Sequence, residues 1–298
     1  MKYVVIIPAK NEEKNIESTI LSLIQQTVPP ECVLVADNDS TDKTAVIVKK
    51  MQNSYPKLLY MNYTGEKSYS LGGKIVKIFD AGKKFIDDHK IEYDYLVKMD
   101  ADVSFDRNVF LNIYNRVNGR RVGIASPLAY IKENNRRIYV STPDWHTSGD
   151  FKIYSKECYE DIGGLQEDLG WDCADNIAAI GKSYITEVFS DILYEQKRPI
   201  GRYSLLHGCK RKGIGAYKLR YSYVYFVIRF VHDLFRKPYI ACSLVCMYYF
   251  VISHFNNTRR ILDPKKGKIL RGLLWRGLVK GTRKKRFYLF QLFALDNN

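Results

Sequence analysis

The 298-residue chain predicts an α/β fold, a mostly parallel sheet covered by helices, followed by a basic helical region. Three observations carry this expectation. Short apolar runs of strand length alternate with segments of helical periodicity, the pattern of parallel sheets with crossover helices. Polar and acidic clusters follow three of those runs. Charge divides the chain: residues 1–200 hold 26 Lys/Arg against 29 Asp/Glu, whereas residues 201–298 hold 21 against 3. A basic module of net +18 is therefore attached to a body of net −3.

Tyr3–Ile7 reads as the first strand, and its five apolar residues are too few for a signal-peptide core. That places the N-terminal region in the cytoplasm as an expectation. Pro8-Ala9-Lys10-Asn11-Glu12-Glu13 follows, with Asn11 a candidate helix cap and Ile16, Ile20, Leu23 and Ile24 on one helical face. Pro29-Pro30 breaks the chain before a second buried strand, Cys32–Ala36, which ends in Asp37-Asn38-Asp39-Ser40-Thr41-Asp42. Leu58–Met61 is the third strand. Gly72-Gly73 then opens a helix through Ile75, Ile78 and Phe79.

The fourth strand, Tyr95 to Met99, ends in Asp100-Ala101-Asp102. In extended backbone, side chains two apart point the same way. Both carboxylates then face one point past the strand end, where ligands bind in open α/β sheets. A hard divalent cation, Mg²⁺ or Mn²⁺, takes such oxygens and shares its remaining positions with water and phosphate. Right-handed crossovers bring the clusters after Ile7, Ala36 and Met99 to the same sheet edge. Neither GxGxxG nor GxxxxGK[ST] is present, so no dinucleotide or P-loop signature competes.

Taken together, Val4-Val5-Ile6-Ile7-Pro8-Ala9-Lys10-Asn11-Glu12-Glu13, Val35-Ala36-Asp37-Asn38-Asp39-Ser40-Thr41-Asp42 and Met99-Asp100-Ala101-Asp102 resemble family 2 glycosyltransferases of the GT-A fold. The resemblance covers roughly the first 200 residues. It implies transfer of a sugar from a nucleoside diphosphate to an acceptor hydroxyl with inversion at the anomeric carbon. It also implies that Pro8, Ala9, Asn11 and Glu12 line the nucleotide pocket, with Asp37 near the base. Asn38 stands where members often carry a second Asp. Asp100 would face the ribose and Asp102, with Asp100 beside it, the metal.

Further along, Thr142-Pro143-Asp144-Trp145-His146 reads as loop. Trp145 is either a sugar-stacking ring or a core or lid residue, and His146 a solvated loop side chain. Trp171-Asp172-Cys173-Ala174-Asp175 opens a helix through Ile177 and Ile180. Asp172 and Asp175 there are caps, or, by the resemblance, carry the general base: Asp175 first, Asp172 in reserve. Ala174 replaces the first acid of the pair that members carry. Trp171 belongs to the same acceptor-side stretch. Gln196-Lys197-Arg198-Pro199-Ile200-Gly201 resembles a segment that often begins with His, so Gln196 departs from the pattern and His207 is a possible substitute. Arg198 suits a phosphate oxygen, and Lys210-Arg211-Lys212-Gly213 is either a second such group or surface charge.

The six cysteines show no CxxC spacing and read as small buried hydrophobes in a reducing compartment, neither disulfide frame nor zinc site. Pro238–Phe255 holds 18 residues without a formal charge, the lower limit for a membrane span, and positive flanks oppose exporting the tail. Helices lying in or dipping into the inner leaflet, or two segments that leave both ends cytoplasmic, are expected, with Leu273, Leu274, Trp275 and Leu278 among Arg271, Arg276 and Lys280 as an interfacial face; the alternative is a helical subdomain packed on the catalytic body with a solvated basic face. The division expected is a catalytic domain over residues 1–215 and a membrane-associated region over residues 216–298. Within the first, residues 1–105 would take the nucleotide sugar and residues 106–215 the acceptor. The expected partners are a nucleotide sugar, a lipid-linked or saccharide acceptor and an anionic membrane surface at its cytoplasmic face. Aliphatic and aromatic interleaving of the basic residues excludes nucleic acid. A catalytically weakened nucleotide-sugar binder is the alternative expected from Ala174 and Gln196.

Overall fold

A computed structural model describes residues 1–65, 72–134, 136–140, 142–198, 205–234 and 240–283. The elements run β1 (Tyr3–Ala9), α1 (Ile16–Ile24), β2 (Cys32–Asp37), α2 (Thr44–Gln52), β3 (Leu58–Asn62), α3 (Gly73–Asp88), β4 (Tyr95–Met99), β5 (Val103–Phe105) and α4 (Val109–Val117). Then come β6 (Val122–Glu133), β7 (Arg136–Tyr139), β8 (Phe151–Ser155), α5 (Lys156–Asp161), α6 (Trp171–Gly181) and β9 (Ile185–Gln196). Four helices follow: α7 (Leu205–Lys218), α8 (Tyr223–Leu234), α9 (Ile240–Phe255) and α10 (Pro264–Arg283).

One sheet runs β3-β2-β1-β4-β8-β6-β9-β5, with β7 hydrogen-bonded to β6. The first four strands are parallel, as their alternation with helices requires. Beyond β4 the sheet is mixed, because β8 joins β4 and β6 antiparallel while β9 returns parallel to β6. Successive strand residues point to opposite faces, so Val5 and Ile7 pack with α1, α2 and α4 while Val4 and Ile6 pack with α3, α5 and α6. Both faces are covered, so the strands read as continuous apolar runs with no alternation.

A third core, built from Tyr217, Tyr221, Tyr225, Phe250, Leu270 and Leu274, fastens α7–α10 to the back of α6 through Cys173 and Ile177. The expected division at residue 215 falls inside α7. At Gly213 the helices α7 and α9 cross so closely that a Cβ would lie 2.3 Å from the Cys246 carbonyl. Cys209 and Cys242 are joined there as a disulfide with Cα atoms 5.5 Å apart, and Cys246 Sγ donates to the Cys209 carbonyl. This corrects the reading of all six cysteines as isolated hydrophobes: two helices, not sequence spacing, bring these three together. Among the described residues no helix is long and apolar enough to cross a membrane. The expected flank Arg236-Lys237 and residues 284–298 lie outside the described residues.

Candidate active site

Parallel pairing of β1 and β2 sets Ala9 opposite Asp37, and the Asn38 amide donates to the Ala9 carbonyl at 2.9 Å. The loops beyond are stitched together. Asn11 takes a left-handed backbone, φ 55°, receives the Thr41 amide at its Oδ1 (2.8 Å) and donates its own amide to Ser40 Oγ (2.8 Å). It is therefore a loop clasp. Asn15, not Asn11, precedes the first turn of α1. The Glu12 amide donates to Thr44 Oγ1 at 2.7 Å. Asp37 is buried and accepts from Tyr60 Oη at 2.9 Å and from the Ser40 amide. Pro8, Ala9, Asn11, Glu12, Asp37 and Asn38 thus lie together at the ends of β1 and β2 and in the loops that follow them.

Asp100 and Asp102 lie next to that cluster, at the end of β4 beside β1. They sit in a turn between β4 and β5, not in the extended backbone expected. Their contacts consequently differ. Asp100 takes the buried Lys98 ammonium, whose other partner is the Gly149 carbonyl. Asp102 Oδ2 takes Arg198 Nε at 2.8 Å, and the same guanidinium bonds Glu12. Arg198 therefore clamps the β1 loop to the β4 turn through two carboxylates. Desolvation, with the charges of Asp102 and Asp150 added, pushes the Asp100 carboxyl up to about 6, against the pull of Lys98. Both strand-end carboxylates are thus paired with cationic side chains, Asp100 with Lys98 and Asp102 with Arg198.

The acceptor side is organised by a second buried lysine. Lys152 on β8 is the cross-strand partner of Lys98 on β4, so two ammonium groups sit side by side in the sheet. Lys152 Nζ donates to Asp175 Oδ1 and Oδ2 at 2.7 and 2.6 Å and to the Asp172 carbonyl at 2.6 Å. Asp175 also accepts from Tyr154 Oη and from the Asn176 amide, both at 2.6 Å. Both its oxygens are engaged, and its side chain is 1% exposed. Trp171 lies beneath both lysines, with Nζ atoms 5.6 and 5.4 Å from its ring, so it serves as a cation–π floor and not as an open sugar platform.

Asp172 differs. It lies in the first turn of α6, where the helix dipole favours a carboxylate, and keeps partial exposure. Gly149 makes room for it, since a Cβ there would meet Asp172 Cβ at 3.2 Å. Burial raises its pKa while Lys152, Lys98 and Arg211 pull the other way. His146 is buried, not solvated; desolvation and Lys152 push its pKa down to about 3, so the ring is neutral. Trp145 is half-buried and packs on the helical module. Asp150, beside Asp100, is a third carboxylate that the sequence pattern does not single out. Its carbonyl accepts the Asp100 amide at 2.8 Å. Lys98 and Lys152 are likewise absent from the expected site, although a lysine inside Leu-Val-Lys-Met or Phe-Lys-Ile-Tyr is itself a signal in buried strands.

The sequence pattern of glycosyl transferase family 2 matches residues 4–166, more than half of the chain and inclusive of all three strand-end clusters. The chain belongs to glycosyl transferase family 2. A curated relative, the 4,4'-diaponeurosporenoate glycosyltransferase of Staphylococcus haemolyticus (strain JCSC1435), is 37% identical over 98 residues, 30% of this chain; the match spans only 26% of that relative's length. Solved structures share the GT-A fold. The mannosyltransferase PcManGT of Pyrobaculum calidifontis, in complex with GDP-Man and Mn²⁺, aligns at TM-score 0.55 and 16% identity over 95% of this chain and 82% of its own. S. aureus TarS 1-349 in complex with UDP-GlcNAc aligns at TM-score 0.53 and 17% identity over 100% and 98%. This family 2 chain therefore has a GT-A fold, as the sequence predicts.

Two outcomes follow from the geometry. Asp175→Asn removes the charge facing a fully buried ammonium, and breaking such a pair costs about 3–5 kcal/mol. Thermal unfolding should show a large drop in Tm, far exceeding that of Asp172→Asn. For Asp100, the raised pKa means the carboxyl is protonated, and loses its attraction for cations, as pH falls through about 6. Nucleoside diphosphate affinity with Mn²⁺, measured by calorimetry, should weaken from about pH 7 to about pH 5, and this extra pH dependence should vanish in Asp100→Asn.

Proposed function

We propose that this chain transfers a sugar from a nucleoside diphosphate donor to a hydroxyl of a lipid-linked or surface-polysaccharide acceptor, with inversion, at the cytoplasmic face of a membrane. The observation that carries the reading is the opposition of two carboxylate groups across Lys98 and Gly149. Asp100 and Asp102 stand at the strand end, and the half-buried Asp172 carboxylate stands at the start of α6. Nucleotide sugars bound by the solved neighbours support the donor class. The wall of Pro8, Ala9, Asn11, Glu12, Asp37 and Asn38 receives the nucleoside. Asp100 and Asp102 would hold a divalent cation, which offsets the negative charge of the leaving diphosphate when bound.

Asp172 takes the acceptor's hydroxyl proton as the new C–O bond forms. The base assignment moves from Asp175 to Asp172 on geometry, because both Asp175 oxygens already accept charged or strong donors. Arg198, released from Asp102 and Glu12 as donor and cation arrive, is placed to meet a phosphate oxygen. A half-buried carboxylate whose pKa is raised by burial at this position favours turnover over a weakened binder, despite Ala174 and Gln196. Asp172→Asn should lower sugar transfer by roughly 10²–10⁴-fold, with donor affinity and Tm near parental. Full transfer by this variant would contradict the assignment.

Membrane attachment has its support in α8 and α9. Val224, Val227 and Val231 form an exposed apolar stripe on α8, and Ile240, Leu244, Tyr248, Val251 and Phe255 form one on α9. Stacking of Phe226 on Phe250 joins the two helices. Copies of a module carrying net +18 repel one another, so an anionic bilayer suits this face better than a second copy. We expect Val227→Glu with Leu244→Glu to abolish co-sedimentation with anionic vesicles without changing donor binding. Undiminished co-sedimentation would place the attachment elsewhere.

A further inference from the structure

Beside that apolar face, where α7, α8, α9 and α10 meet, lies a cavity of about 340 Å³. Arg220, Arg260 and Arg271 all line it. Each guanidinium is held by one neutral contact. Arg220 Nε donates to the Leu262 carbonyl at 2.6 Å, Arg271 Nη1 to the Arg220 carbonyl at 3.2 Å, and Arg260 lies 4.5 Å over the Tyr217 ring. Among the described residues no carboxylate pairs with any of the three. Like charges gathered in a partly dry recess repel, and an anion placed among them relieves that repulsion. The remaining N–H groups of a planar guanidinium match phosphate oxygens in pairs.

Arg220 ends α7 in a left-handed C-terminal cap, φ 58°, with the Tyr221 amide donating to the Ala216 carbonyl at 3.1 Å, and its side chain passes Gly267. Gly267 leaves the room: a Cβ there would lie 2.7 Å from Arg220 Cδ and 3.3 Å from Arg271 Nη1. The remaining wall is mainly aromatic and aliphatic, with Ser222 its other polar member. Val224, the first member of the α8 stripe, lines the cavity together with Phe250, so the basic recess opens directly onto the exposed apolar face. Tyr221 in the wall packs in the same core as Cys173, the residue after Asp172.

We infer that the cavity binds the phosphate or diphosphate group of an amphiphile whose hydrocarbon lies along the α8–α9 face. This deepens the membrane-side reading above and rests on it. A membrane phospholipid and a lipid-linked substrate present the same chemistry, a phosphate anion attached to an apolar chain. Recognition needs no divalent cation, because the arginines supply the positive charge.

The experiment uses the full chain and the double variant Arg260→Gln/Arg271→Gln, which leaves Arg220 and its Leu262 bond in place. Calorimetry with inorganic pyrophosphate and with geranyl diphosphate is run in EDTA, which separates this site from a cation-dependent donor site. Nucleoside diphosphate binding with Mn²⁺ is measured in parallel. The parent should bind geranyl diphosphate more tightly than pyrophosphate, and the double variant should weaken both by about tenfold or more, with nucleotide binding and Tm unchanged. Co-sedimentation with phosphatidylcholine vesicles, with and without phosphatidylglycerol, then identifies the source. Loss of phosphatidylglycerol dependence in the variant assigns the cavity to a phospholipid headgroup. Retained dependence with lost geranyl diphosphate binding assigns it to a lipid-linked substrate. No binding of either diphosphate by the parent, or equal binding by the variant, overturns the proposal. Absent nucleotide binding in the parent would instead strike the glycosyl-transfer reading and leave the cavity result standing.

Discussion

Lys98 and Lys152 sit side by side in the middle of the sheet, both almost wholly withdrawn from water. Two adjacent ammonium groups in a core are tenable only if each finds oxygen partners, since burying an unpaired charge costs several kcal/mol or more. The partners found define the site. Lys98 holds Asp100 and the Gly149 carbonyl; Lys152 holds Asp175 and the Asp172 carbonyl. The end of β4, proposed for the donor, and the start of α6, proposed for the acceptor, are therefore fixed to neighbouring strands. Trp171, under both cations, ties the same helix start to the pair. What resembles a structural core is also the spacer between the Asp100–Asp102 turn and the start of α6.

The same pairing explains why the two acids of the Trp171–Asp175 stretch have different fates. One turn of helix separates them, yet Asp175 turns inward to neutralise Lys152 while Asp172 stays at the open end. Asp175 resembles a base by position but is committed to holding the helix. Its hydrogen bonds from Lys152, Tyr154 and the Asn176 amide leave no oxygen for an acceptor.

How far the chain can be read from its sequence follows from which interactions are local. The parallel strands, the faces of α1 and α3 and the convergence of the clusters after Ile7, Ala36 and Met99 rest on periodicity and crossover handedness, and are legible. The Asp100–Asp102 turn is legible as a carboxylate pair but not as a turn, because β5 leaves to pair with β9, far along the chain. His146 reads as a loop residue and is buried because α6 and β9 close over its segment, where Asn176 reaches Thr147 and Thr186 reaches the Trp145 carbonyl. The joining of Cys209 to Cys242 depends on the crossing of α7 and α9 at Gly213, which no spacing reveals. Charge asymmetry foretells a distinct basic module, while its arginine-lined recess needs tertiary structure.

The proposed mechanism, direct attack by an acceptor hydroxyl with Asp172 as base, is a single displacement, and that has one stereochemical consequence. The measurement is the anomeric configuration of the first-formed product, read by NMR from a donor with an α-linked sugar. Single displacement, with Asp172 acting directly on the acceptor hydroxyl, predicts a β-linked product. An α-linked product would mean two displacements or front-side attack, and would contradict the roles given to the opposed carboxylates.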